Sequence, residues 1–208
     1  MVVQARRMSL AEFMALPDDG NRHEFVRGEV RVMPPPKGRH GRVETALLAA
    51  IDRYLDERAR ALRWDPQHGL DARDRLVGFV AGGEFAMQFS VPDDPNQVRG
   101  ADGVYVPAEQ YARVTWDEQT YFPEVAHLVI EVISPSETAT DVVEKVQDYL
   151  AGGGRRVWCV YPRLRTVHIH DADAPMQAVR WDGNLTDEEL LPGFVLPLRS
   201  IFSVPPER

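Results

Sequence analysis

Glu131 interrupts an almost continuous apolar, β-branched run from His127 to Ile133. Such a run predicts a strand buried on both faces. A carboxylate there is costly unless it is paired, protonated or bound to a cation. Lys145 follows, at the border of the apolar stripe of the next helix, and it and Lys37 are the only lysines among 24 basic residues. A chain that otherwise uses arginine points to a compact ammonium wanted for itself; the competing reading is an exposed pair with Asp141, worth at most about 0.5 kcal/mol. Asp102, at the entrance of another strand, supplies a second carboxylate. Metal-dependent phosphodiester hydrolysis needs such a set. Two or three carboxylates hold Mg²⁺ or Mn²⁺, the cation polarises the phosphate and lowers the pKa of a water, and a lysine orients that water or offsets charge. The spacing alone does not single out this chemistry.

The elements that must position these groups follow from pattern and punctuation. Ser134-Pro135 ends the Glu131 strand. Thr138 or Thr140 caps the following helix, Asp141 and Glu144 fall in its first turn, and Gly152 to Gly154 stop it. Val142, Val146, Tyr149 and Leu150 form its apolar stripe. RRVWCVYP is a second buried strand, so residues 127–161 make a β-α-β unit with a right-handed crossover. Upstream, Ser9 and Glu12 mark a capping box for a helix over 9–16, and residues 23–33 read as a strand pair bent at Gly28, with Glu24 near its start.

After Pro34-Pro35-Pro36, the 3.6-residue period from Val43 to Leu62 predicts a long helix, with His40 at or just before its first turn. A polar ring there most often satisfies only backbone or solvent. Residues 64–75 read as a loop, LVGFV and EFAMQFS as two short strands separated by Gly82-Gly83, and VPDDPNQVRG as a loop before the strand ADGVYV. AEQYARV reads as a helical turn, WDEQTYFPEVA as a surface loop, TVHIHD and MQAVRW as short antiparallel strands, and the tail from Leu185 to Phe202 as a covering segment.

A length of 208 residues fits one domain, with a core over about 20–165 and C-terminal strands and cover over 166–208. The single Cys159, inside VWCVY, reads as a core thiol in a reducing compartment. Arg6 and Arg7 precede no apolar signal region, and no run reaches a membrane span, so a soluble cytoplasmic protein is expected. The net charge of −8 argues against a nonspecific nucleic-acid coat; residues 1–63 nevertheless carry +3 and the remainder −11, which is compatible with a local basic surface and with a site that collects carboxylates.

The residues resemble the Uma-two family of putative restriction endonucleases, within the PD-(D/E)XK nuclease superfamily. The resemblance rests on EFVRGE at 24–29, the proline run with His40 and a long helix, the Asp102 strand, LVIEVISPSE around Glu131, Lys145, Tyr149 and GGRRVWCVYP, and spans about Ser9 to Leu198. It implies an α/β, restriction-endonuclease-like mixed β-sheet flanked by helices. By the resemblance, Asp102 and Glu131 are metal ligands for Mg²⁺ or Mn²⁺, Lys145 is the lysine carried on the helix, and Glu24 is an additional catalytic carboxylate. His40, Ser134 and Tyr149 are expected to support the site or touch substrate. DNA is the expected substrate, and a homodimer the expected form. The sequence departs from the superfamily motif at two places: Ala101 stands for the motif's proline, and Ile133 for the lysine two residues after the second acid, so activity depends on Lys145 reaching the site.

Two other readings stay open at this level. A noncatalytic binding or assembly module predicts that Glu24, Asp102, Glu131 and Lys145 do not converge; a hydrolase of a small phosphoester predicts a closed cavity instead of an open, Arg-lined groove. His168 and His170 share a strand face but lack a third ligand, and Ser134 lacks a His and Asp partnership for nucleophilic chemistry.

Overall fold

The run from Leu128 lies inside the molecule because both of its faces find cover. A computed structural model describes residues 7–17, 19–33, 38–114 and 120–202, without the side chain of Glu84. In chain order these form α1 (Leu10–Met14), β1 (Arg22–Val26), β2 (Glu29–Met33), α2 (Gly38–Ala61), a 3-10 turn (Pro66–His68), α3 (Gly69–Val77), β3 (Phe79–Val91), β4 (Asp94–Val106) and α4 (Ala108–Arg113). Then follow β5 (Leu128–Val132), α5 (Ala139–Ala151), β6 (Arg156–Tyr161), β7 (Thr166–Asp171), β8 (Gln177–Arg180), β9 (Asn184–Asp187), β10 (Leu191–Pro197) and α6 (Arg199–Phe202). The proline run 34–36 and residues 115–119 of the loop before β5 lie outside the described residues.

The main sheet runs β2-β1-β4-β5-β6-β7-β8, with β3 paired to the other edge of β4. β5 and β6 are parallel, as a β-α-β unit requires, and the remaining pairs are antiparallel. Alternation along β5 divides the core. Leu128, Ile130 and Val132 join Val43, Leu47, Ile51 and Leu55 of α2, with Trp158 and the β9-β10 pair. Val129 joins Val142, Val146 and Tyr149 of α5, with Val157 and Cys159. Among the described residues no helix is long and apolar enough to cross a membrane.

Several sequence expectations hold. Ser9 and Glu12 form the expected capping box of α1, and of the two threonines expected to cap α5 it is Thr138 that does so, in a reciprocal box with Asp141. Arg27 and Gly28, both at positive φ, make the β1-β2 turn. Three expectations are corrected. Residues 69–77 are helix α3, not loop; its buried residues are Arg73, which donates to Asp52 at 2.8 Å and Asp56 at 2.7 Å on α2, and Val77, so one apolar residue alone marks its inner side and no stripe announces it. LVGFV and EFAMQFS are not two strands. Leu76 and Val77 end α3, and β3 runs through Gly82-Gly83 across a bulge. The expected loop 91–100 is mostly β4, turned at Pro92-Asp93, so Asp102 lies well inside a long strand. The covering tail contains the additional β9-β10 hairpin.

Candidate active site

The site lies where the sheet forks. One edge of β4 pairs with β1 at Val98 and with β5 over Gly103 to Tyr105, while β3 occupies its other edge. Between those two pairings β1 and β5 diverge, and Glu24, Asp102 and Glu131 arrive from the three strands. The backbone N–H of Val132 donates to Asp102 Oδ2 at 2.6 Å, so the carboxylate takes a donor from the diverging strand.

Glu131 is 3% exposed and Lys145 7%, so the apposition is internal. Lys145 Nζ donates to Glu131 Oε2 at 3.1 Å, and Tyr149 Oη donates to Glu131 Oε1 at 2.8 Å. Spacing of four residues puts both donors on one face of α5. The same ammonium stands 3.9 Å from Glu24 Oε1 and 3.8 Å from Glu137 Oε1. The alternative of an outward pair with Asp141 is not what forms: Asp141 accepts from the Thr138 hydroxyl at 2.7 Å in the helix cap.

On the opposite side, His40 in the first turn of α2 places Nε2 3.2 Å from Asp102 Oδ2, and Glu44, one turn on, has Oε2 3.7 Å from His40 Nδ1. Ligand atoms of His40, Glu44 and Asp102 all fall within 4.8 Å of one another. α2 reaches this close because Gly82 and Gly103 leave room for Leu48; a Cβ at either would collide with that side chain.

A cavity of about 430 Å³ opens here, lined by Asp102, Glu131, Lys145, His40, Ser134 and Glu137 among others, with Arg22, Arg39 and Arg163 at its margin. Ser134 is part of the wall: its N–H donates to Glu137 Oε2 at 2.6 Å, and its Oγ is 3.0 Å from Ser136 Oγ. Ile133 also lines it, with no charge to offer. Glu24 and Tyr149 stand behind this wall instead of lining it; Glu24 is 2% exposed. Sequence reasoning thus names Glu24, Asp102, Glu131, Lys145, His40, Ser134 and Tyr149, which the fold brings to one region. It missed Glu44, whose signal was its position four residues after His40, and Glu137 and Arg99, which lay in stretches read as turn or loop.

Burial pushes the Glu131 carboxyl up to about 7; Lys145 pulls it down, Asp102 and Glu24 add to the rise, and Tyr149 opposes it. Burial disfavours the Lys145 ammonium, but Glu131, Glu24 and Glu137 together hold its pKa above the ordinary lysine range. For His40, burial works against protonation, yet the hydrogen bond and charge of Asp102 raise its pKa overall. Burial keeps Tyr149 a neutral phenol donor and pushes the Cys159 thiol up, which removes it as a nucleophile.

A group whose folded pKa is raised binds more protons in the folded state, so its contribution is full below the unfolded value and lost as pH rises through the folded one. For Glu131 that window runs from 4.5 to about 7. Unfolding in urea with EDTA present should show the wild-type chain losing up to about 3 kcal/mol across this window relative to Glu131→Gln. Parallel pH profiles for the two proteins would contradict the assignment.

The donor set fits a divalent cation. Ligand atoms of His40, Glu44 and Asp102 lie close enough together to share one ion, and the Glu131 carboxylate lines the same cavity as Asp102. Oxygen donors with one imidazole suit Mg²⁺ or Mn²⁺.

Among curated proteins none matches the sequence. In fold the chain is similar to the crystal structure of a putative nuclease belonging to DUF820 from Anabaena variabilis, at 18% identity and a TM-score of 0.72, covering 94% of this chain and 97% of that one. The profile of the Uma2 family, described as "Putative restriction endonuclease", matches residues 10–199. With that match over most of its length, the chain belongs to the Uma2 family.

Proposed function

We propose that the protein is a Mg²⁺- or Mn²⁺-dependent endonuclease that hydrolyses phosphodiester bonds of DNA. The observation that supports this best is the meeting of Asp102, Glu131 and Lys145 in one cavity with arginines at its margin. Asp102 and Glu131 would hold the cation, with His40 and Glu44 beside Asp102 completing the donor set. When bound, the cation supplies polarisation of the phosphate and a lowered pKa for water. Lys145 holds its proton, because three carboxylates surround it, and so presents a fixed positive charge to the developing negative charge on phosphorus oxygens. Tyr149 fixes the other oxygen of Glu131 and keeps that carboxylate in one rotamer. Glu24, behind the wall, orients Lys145 instead of contacting substrate. Cutting both strands of a duplex would take two copies in a twofold dimer.

Arg39 and Arg163 are exposed at the margin and belong to none of the described ion pairs of the site, which suits them to backbone phosphates. Replacing both by Gln should weaken binding of a fluorescent duplex in EDTA and lower the slope of log K against log salt by about 1 per lost contact. An unchanged slope would remove these residues from the interface. Binding of no nucleic acid by the wild-type chain at low salt, with Mn²⁺ bound, would argue against a DNA substrate altogether.

A further inference from the structure

α5 carries Glu144, Lys145 and Asp148 within one turn. Glu144 and Asp148, four apart, repel each other on an isolated helix. Three arginines meet them, Arg27 from the β1-β2 turn, Arg31 from β2 and Arg99 from β4. Arg27 donates to Glu144 at 2.9 Å and Asp148 at 3.0 Å, Arg31 to Glu144 at 3.0 Å, and Arg99 to Glu144 at 3.1 Å and to Asp148.

Arg99 differs from the other two in burial and reach. Its side chain is 0% exposed, against 32% for Arg27 and 36% for Arg31. Its Nη1 donates to Glu24 Oε2 at 3.2 Å, its Nε to Gln97 Oε1 at 3.1 Å, and its Nη2 to the two carboxylates of α5. The planar guanidinium therefore ties β1 to α5 through one rigid group lying on β4. Stability alone does not explain it, because a buried ion pair is commonly replaceable by apolar residues without loss.

We propose that Arg99 is a positioning residue for Lys145. By holding Glu24 and Asp148 together, it sets the register of α5 against the forked strands. Lys145 Nζ then falls 3.1 Å from Glu131 and 3.9 Å from Glu24, and Tyr149 reaches Glu131 from the next turn. Arg99 does not line the cavity and touches no substrate. The inference rests on the nuclease reading for its effect on turnover, but its effect on Lys145 is independent of that reading.

The test uses the full chain, with Arg99→Lys and the double variant Arg99→Met, Asp148→Leu, which removes Arg99 with one of its two buried carboxylate partners and leaves Glu24 to the Lys145 ammonium. Three quantities are read: thermal unfolding, kcat and KM for plasmid cleavage, and acetylation of Lys145 by an amine-reactive ester, with Lys37 as the internal reference in the mass spectrum. The expected result for the double variant, assayed well below its melting temperature, is KM within about twofold, kcat down at least about tenfold and Lys145 acetylated at least about tenfold faster. Arg99→Lys keeps the charge but not the fork, and should show the same kcat and labelling changes in smaller measure. Full recovery of kcat and of Lys145 protection by Arg99→Lys, or in a stable double variant, would reduce Arg99 to structural support and overturn the proposal. Should the double variant not fold, Arg99→Lys decides alone. Should the wild-type chain cleave nothing, the nuclease reading falls while Lys145 labelling still decides the positioning role.

Discussion

Asp102→Asn and Glu131→Gln should each lower Mn²⁺ affinity in calorimetry by at least about 100-fold, beyond the roughly 10–100-fold typical of removing a group that merely supports a ligand. The choice of amides matters. Removing a buried charge can leave a fold intact or more stable, provided that no hydrogen bond is lost with it. That condition fails for Asp102, whose Oδ2 accepts the Val132 N–H. Alanine would orphan that buried donor, at about 1–3 kcal/mol, whereas asparagine keeps an acceptor. At Glu131, glutamine keeps an oxygen for Tyr149, and Lys145 retains Glu24 and Glu137 within 3.9 Å. In EDTA, Asp102→Asn should melt close to the parent, and Glu131→Gln should do so at pH 5, where the Glu131 carboxyl is already protonated. Parental Mn²⁺ affinity in both would refute the ligand assignment.

Lys145→Met should be the most damaging single change to both stability and turnover. It strips the buried Glu131 of its ammonium partner and leaves Glu24 and Asp102 nearby to repel it. Breaking one side of a buried pair typically costs about 3–5 kcal/mol, or a fall of about 10 °C in a chain of this size. Proton uptake by Glu131 limits that loss at low pH, because burial already pushes its pKa up to about 7. The variant should therefore melt nearer the parent at pH 5 than at pH 8. Turnover should fall by about 10²–10³ through loss of a preorganised charge, with cleavage compared at saturating Mn²⁺. Equal destabilisation at both pH values would mean that Glu131 is not the group left uncompensated.

The β5-α5-β6 unit was legible because its signals agree: an apolar run too continuous for an edge strand, a Thr138-Asp141 cap, and a triple-glycine stop. Lys145 was legible by its rarity, and the motif order by resemblance to the family. What stayed hidden depends on partners distant in sequence. Asp94 and Arg99 look like loop residues, yet they are buried because Arg27, Glu24 and α5 satisfy them. Arg73 conceals α3 in the same way, its burial depending on Asp52 and Asp56 of a helix an intervening turn away. Gly82 and Gly83 read as a break, but the strand needs them for a bulge and for the approach of Leu48. Glu44 had no local signal beyond its helical spacing from His40.

Cleavage of supercoiled plasmid at low salt, with Mn²⁺, Mg²⁺ or EDTA, tests the endonuclease assignment most directly, using the wild-type chain beside the Asp102→Asn, Glu131→Gln double variant. The predicted result is nicking that requires the cation and is lost in the double variant. Cleavage that persists equally in the double variant, or none above its background while the wild-type chain binds Mn²⁺, would contradict the assignment.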